Sequence, residues 1–157
     1  MKTLSKKAKY GLRALYALTR KYRQGPVLIS DLAQHEAIPK KFLEIILLEL
    51  RNRGIVASRK GKGGGYFLSQ PPDKITVGSI VRFIDGPLAP LPCASETAYR
   101  RCEECVHEAS CETRLMMKKV RDATAAILDG TTLADICEQA DSLREEKAED
   151  EALMFYI

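Results

Sequence analysis

The sequence has no tryptophan, only two histidines, and just 6% aromatic residues. With His35 and His107 as its only imidazoles, no Ser/His/Asp or paired-carboxylate catalytic arrangement is visible. An enzyme is not expected. There is no run of 18 apolar residues, the length a membrane-spanning helix needs. The opening stretch MKTLSKKAKYGLRALYAL lacks the unbroken apolar core of a secretory signal. The expected location is the cytoplasm, where five cysteines serve as free thiols or metal ligands rather than disulfides. The last absence is local: no acidic residue lies between Arg51 and Gln70.

What is present is divided unevenly. The chain has 157 residues, 45% of them apolar and 29% charged, a soluble globular composition. Its net charge of +4 hides a split. Residues 1–70 carry 15 Lys and Arg against 4 Asp and Glu, whereas residues 71–157 carry 10 against 17. Single charges are usually solvated surface, but an imbalance of this size points to a polyanion-binding front half.

That half is organised around Ser30–Leu68. Ser30 and Asp31 precede the periodic pair Leu32 and Ala33, a start signal for a short helix. Pro39 restarts the chain, and a second helix follows with Phe42, Ile45, Ile46, Glu49 and Leu50 on one stripe. Gly54 stops it. Ile55–Arg59 reads as a strand and Tyr66–Leu68 as its partner, joined by a tip of Gly61, Lys62, Gly63, Gly64 and Gly65. Two helices on a tight turn followed by a basic glycine-rich hairpin form the pattern of a winged helix-turn-helix that binds duplex DNA. Lys40, Lys41, Glu44 and Arg51 then face the major groove, where side chains meet base edges. Arg59, Lys60 and Lys62 grip phosphates or a narrow minor groove, and Gly63 and Gly64 let the backbone approach. Ser30, Lys6 and Lys7 fix the register on the DNA backbone. A nucleotide-binding loop fits less well, because Gly-x-x-x-x-Gly-Lys-Ser/Thr is absent.

The expected class is therefore mainly α with a small β wing, a winged helix-turn-helix domain joined to a long dimerisation helix. Residues 1–85 form the DNA-binding domain, beginning with a helix from Ser5 or Lys6 to about Tyr22. Val27–Ile29 adds a short strand to the wing sheet, and Thr76–Ile84 is a helix buried through Val77, Ile80, Val81 and Ile84. Residues 86–111 form an irregular cysteine-rich loop, residues 112–143 the dimerisation helix and a last short helix, and residues 144–157 a mobile charged tail. Met116, Val120, Ala123 and Ile127 step by 4, 3 and 4, with Leu115 widening the seam. Such a seam is commonly core, yet it suits a homodimer that matches two half-sites.

Cys93, Cys102, Cys105 and Cys111 fall in or beside the loop, with His107 among them. Thiolates so close in sequence suit a soft metal or an iron–sulfur cluster. Cys102, Cys105, His107 and Cys111 are a possible zinc set. Cys137 reads as a small buried residue and His35 as a surface one. Cys102-x2-Cys105 also admits a thiol oxidoreductase, although no helix start lies beside the first thiol. An RNA- or protein-binding use of the winged fold is a further alternative.

Leu4-Ser5-Lys6 to Tyr10, Phe42-Leu43-Glu44 and the wing Lys60-Gly61-Lys62-Gly63-Gly64-Gly65-Tyr66 resemble the Rrf-two family of bacterial transcription regulators. So do the cysteine loop, Val120-Arg121-Asp122-Ala123 and Thr132-Leu133-Ala134-Asp135-Ile136. The family includes iron–sulfur, nitric-oxide-sensing and iron-responsive regulators and cluster-free regulators of cysteine metabolism. The resemblance implies a homodimer on operator DNA and, in cluster-bearing members, ligation by three cysteines matching Cys93, Cys105 and Cys111. The cluster implied is 2Fe-2S, with 4Fe-4S or zinc as alternatives. Two branches draw a fourth ligand from positions that are Arg114 and Lys9 here, leaving Cys102, His107 or a glutamate for that role.

Overall fold

The computed structural model describes residues 4–154, with side chains described through residue 148. Among the described residues it holds six α-helices and one antiparallel two-stranded sheet. The chain divides into two compact units, one of residues 13–75 and 132 onward, the other of residues up to 12 and 76–131.

In the first unit, the second half of α1 (Lys6–Arg20) buries Ala14, Leu15 and Leu18. Helix α2 (Ile29–His35) buries Leu32 and Ala33 and leads into a turn at Ala37, whose φ of 48° is left-handed. Ile38 N–H donates to the Ala33 carbonyl at 2.9 Å and closes that turn. The Arg13 guanidinium donates to the Glu36 carbonyl and lies 3.7 Å from its carboxylate. The angle between α2 and α3 (Lys40–Asn52) is thereby pinned to α1.

Helix α3 corrects the expected stripe. Its buried side chains are Leu43, Ile46, Leu47 and Leu50, whereas Ile45 is 52% exposed and Phe42 and Glu49 are half-buried. Both stripes have helical spacing because the helix is apolar over more than half its circumference. The one that wins contains no glutamate, whose carboxylate would lose its water on burial.

Strands β1 (Val56–Arg59) and β2 (Gly65–Leu68) pair in register from Val56↔Leu68 to Arg59↔Gly65. The strand expected at Val27–Ile29 is a single bridge, Val27 exchanging two 2.8 Å hydrogen bonds with Tyr66. The tip needs its glycines. Gly61 and Gly63 have φ of 86° and 73°, and a Cβ on Gly64 would meet the carbonyl oxygens of Arg59 and Gly61.

Thr132 and Asp135 form a capping box, with Asp135 N–H donating to Thr132 Oγ at 3.1 Å and Thr132 N–H to Asp135 Oδ2 at 2.9 Å. Helix α6 (Leu133–Met154) follows. It docks through buried Leu133 and Cys137 and through Asp141, which accepts from Arg20 at 2.8–3.1 Å. The expected mobile tail from Arg144 is instead helix as far as Met154. The run REEKAEDEALM consists of good helix formers, which outweigh its charge density. Residues 155–157 of that tail lie outside the described residues.

In the second unit, Thr76 Oγ accepts from Ser79 N–H at 3.2 Å and starts α4 (Val77–Asp85). Val77, Ile80 and Val81 are buried there, while Ile84 is only half-buried. Helix α5 (Glu112–Asp129) packs on α4, joined by the two-pronged Arg82–Asp129 bridge at 2.5 and 2.7 Å. Gly78 is glycine because a Cβ would collide with the Asp129 carboxylate. Among the described residues, no helix is long and apolar enough to cross a membrane.

Two outcomes follow from this packing. Leu47→Ala should cost about 2–5 kcal/mol by emptying the core, whereas Ile45→Ala should stay within about 0.5 kcal/mol; denaturant unfolding of both variants checks the helix face. Arg82 and Arg20 hold the carboxyls of Asp129 and Asp141 below the usual range. Their contribution to stability is complete above an unfolded value of about 3.9 and is lost as pH falls through the lower folded values. Asp129→Asn with Asp141→Asn should therefore flatten the acid side of the stability curve, read as unfolding midpoints from pH 7 down to pH 3.

Candidate nucleic-acid interface and cysteine loop

Because Leu43, Ile46, Leu47 and Leu50 face the core, the opposite side of α3 is set by geometry. Lys40, Lys41, Glu44 and Arg51 are all exposed on it. Lys41, Glu44, Ile45 and Leu48 fall at i, i+3, i+4 and i+7, so they form one outward row. Ile45 and Leu48, 52% and 44% exposed, were missed as surface residues because their type reads as core. Glu49, on the same expected stripe as Ile45, was the available signal. Arg51 donates to Ser58 Oγ of β1 at 3.3 Å, which ties the end of α3 to the hairpin.

Arg59, Lys60, Lys62 and Gly63 are exposed at the hairpin tip, with no carboxylate between Arg51 and Gln70 to offset them. Gly64 is buried against the turn's own carbonyls, so its lack of a side chain serves the turn first. Ser30 lies inside the first turn of α2 rather than capping it. The cap position is Leu28, and the Ser30 hydroxyl donates to Asp31 at 3.2 Å.

Lys6 and Lys7 stand on the first turn of α1, in the other unit. Ser5 fixes that turn. Its hydroxyl accepts from Ala8 N–H at 2.9 Å and donates to the Asp85 carboxylate, while its own N–H donates to Asp85 Oδ2 at 2.8 Å. Lys6 is exposed, its ammonium 5.8 Å from the Tyr10 ring centroid, and Lys7 is half-buried.

The loop before α5 has one regular piece, a 3-10 turn at Pro92–Ala94. Two arginines of α5 hold it, Arg114 Nε donating to the Cys93 carbonyl at 2.9 Å and Arg121 to the Ala94 carbonyl at 2.6 Å. Arg114 also lies 3.5 Å from Glu108, which accepts from the Tyr99 hydroxyl. Cys93 is buried in this turn, Cys102 and His107 are exposed, and Cys105 and Cys111 are half-buried. Cys111 is the residue before the first turn of α5.

Cys111, Cys102 and Glu108 are the ionisable neighbours that act on Cys105. Desolvation pushes the Cys105 thiol up, reinforced by its hydrogen bond to Cys111 and by the charges of Cys111, Cys102 and Glu108. Among the described residues, no three His, Cys, Asp or Glu side chains converge where one metal ion could sit. Neither the set Cys93, Cys105 and Cys111 nor the set Cys102, Cys105, His107 and Cys111 is closed as a ligand sphere in this arrangement. Helix α5 carries its apolar seam outward. None of its side chains is buried, and Met116 and Ile127 are 55% and 68% exposed.

Comparison with known proteins agrees with this geometry. Residues 4–139 match the Rrf2 family model, described as an iron-dependent transcriptional regulator. The chain is 40% identical over 136 residues to the rrf2-like HTH-type transcriptional regulator of Rhodobacter capsulatus, covering 85% of this chain and 91% of that one. It is 34% identical over 154 residues to the HTH-type transcriptional regulator CymR of Bacillus subtilis, covering 98% and 99%. The solved structure of that protein, titled as the global cysteine regulator, superposes with a TM-score of 0.75 over 88% of this chain and 98% of its own. The structure of T. potens IscR, 28% identical, gives 0.70 over 88% of each. These relatives are transcriptional regulators rather than enzymes, and their likeness agrees with the winged helix-turn-helix class read from the sequence. The chain belongs to the Rrf2 family of bacterial transcription regulators.

Proposed function

We propose that the protein is a cytoplasmic homodimer that binds operator DNA through α3 and the wing and receives its signal through the cysteine loop. The observation that carries this reading is the outward row of α3 beside a hairpin tip free of acidic residues. Lys41 and Glu44 meet base edges, the first as donor and the second as acceptor, and Ile45 packs on thymine methyl groups. Arg59, Lys60 and Lys62 neutralise phosphates, Ser30, Lys6 and Lys7 fix the register, and Gly63 keeps the tip thin enough to enter a groove. The exposed α5 seam supports the dimer, since a contiguous apolar face on a helix costs free energy in water until a second copy covers it.

For the signal, the contact between Cys105 and Cys111 supports a thiol sensor. Cys111 attacks a hydroperoxide, forming a sulfenic acid and releasing water or alcohol. Cys105 then attacks that sulfur, expelling water and closing the disulfide, so two thiols are oxidised and one peroxide is reduced. The likeness to CymR over nearly the whole chain supports this cluster-free branch. The family's description as iron-dependent supports a second reading, a 2Fe-2S or 4Fe-4S cluster held by Cys93, Cys105 and Cys111 with Cys102 or His107. Among the described residues neither that set nor the zinc alternative converges on one point.

On duplexes selected from a random pool, Glu44→Ala should cost about 1–3 kcal/mol and relax the preference at one base pair. Lys62→Ala should weaken all sequences alike and lower the salt slope by about 1. Equal effects of both variants on every sequence would remove α3 from the reading head. Mild peroxide should consume two of the five thiols and yield a Cys105–Cys111 cross-linked peptide, absent in Cys111→Ser. Stoichiometric iron and sulfide in anaerobically purified protein, lost in Cys93→Ser, would replace the thiol sensor by the cluster.

A further inference from the structure

Behind the wing, on the side of the residues that follow α1, lies a cavity of about 220 Å³ lined by Tyr22, Arg23, Pro26, Arg59 and Phe67 among others. The register explains how the hairpin contributes. Phe67 stands opposite Ala57, and Arg59 is two residues further along the same strand, so Arg59 and Phe67 share one face as diagonal neighbours. From the other side, the Arg23 guanidinium lies 5.5 Å from the Tyr22 ring centroid. Neither Arg23 nor Arg59 has an acidic partner among the described residues. Arg23 also has φ of 63°, the left-handed conformation, which glycine or asparagine would adopt more easily. The Arg23 side chain lies against the Tyr22 ring beside it, which leaves the guanidinium edge turned to the cavity it lines.

We infer that this cavity is an effector site for a small anion carried on a single aromatic ring, such as an aryl carboxylate or aryl phosphate. The two guanidinia take the anion, since they are the residues of choice for bidentate carboxylate or phosphate binding. Tyr22 and Phe67 take the ring by offset or edge-to-face stacking. The volume lies below the 300–1,000 Å³ usual for drug-sized ligands, which limits the occupant to one ring. Arg59 also belongs to the wing tip in the DNA-binding reading above, and the coupling rests on that reading. A ligand that draws Arg59 into the cavity removes a cation from the groove, so ligand and DNA each weaken the other by the same factor.

Phenyl phosphate is the probe and inorganic phosphate its control, both titrated into the full chain with and without a selected duplex. Expected are saturable shifts of the Tyr22 and Phe67 ring resonances with phenyl phosphate, a much weaker response to inorganic phosphate, and a loss of duplex affinity of at least about fivefold. Arg23→Gln should abolish all three while leaving the affinity of the ligand-free protein for duplex within twofold. No ring shifts, or equal binding of both anions, would overturn the site. A loss of duplex affinity in ligand-free Arg23→Gln would also overturn it, by making the cavity part of the DNA surface. If no duplex binds the chain at all, the DNA reading fails, and the ring shifts still decide the cavity.

Discussion

The rotational setting of α3 about its own axis is the constraint on which the rest depends. Four aliphatic side chains, Leu43, Ile46, Leu47 and Leu50, are fully or almost fully buried along it. At about 1.5–3 kcal/mol for each such side chain removed from water, turning the helix by a third of a turn, in the direction that brings Glu49 inward, would expose Leu43, Leu47 and Leu50. It would also push Glu49 into the core. The outward row Lys41, Glu44, Ile45 and Leu48 is thus a consequence of core packing. Arg13 reinforces the setting from α1 through Glu36, and Arg51 ties the end of α3 to Ser58 of β1.

The hairpin shows a second coupling of backbone demand and function. Its glycines are required by the turn itself, through the positive φ at Gly61 and Gly63 and the closed space at Gly64. A turn so built has a thin tip, and the segment between Arg51 and Gln70 that carries it contains no acidic residue. The acidic half has a different logic. In the unit that contains α4 and α5, arginines are spent on internal bonds, Arg82 to Asp129 and Arg114 and Arg121 to carbonyls of the cysteine turn. The same residue type serves an open surface in one part of the chain and internal scaffolding in another, according to whether carboxylates and free carbonyls lie nearby.

Much of this was legible in the sequence because the signals were local. Pro39, Gly54 and the glycine run mark breaks that backbone chemistry enforces. The seam of α5 followed from its period, but its exposure did not, since such a stripe is commonly core. What failed was non-local or ambiguous. Phe42 and Ile45 against Leu43 and Leu47 could not be decided by hydrophobicity, since both stripes are apolar at helical spacing. The charged run after Arg144 reads as tail by charge and as helix by propensity, and propensity prevailed as far as Met154. Cysteine spacing places thiols in one loop but says nothing about where their side chains point. Arg114 illustrates the difference: at a position where some relatives carry a ligand it holds the Cys93 carbonyl and Glu108, a role visible only in three dimensions.

A single row of side chains on α3, fixed from behind by the core, and a hairpin tip beside it are thus proposed to form the DNA-reading surface, with the loop cysteines as its control. Backbone hydrogen exchange of the full chain, with and without a saturating selected duplex, tests that claim most directly. The account predicts slowed exchange confined to the first turns of α1, α2 and α3 and to residues 59–65, with the cysteine loop unchanged. Slowing centred on the loop or on α6, with α3 and the hairpin tip unaffected, would contradict it.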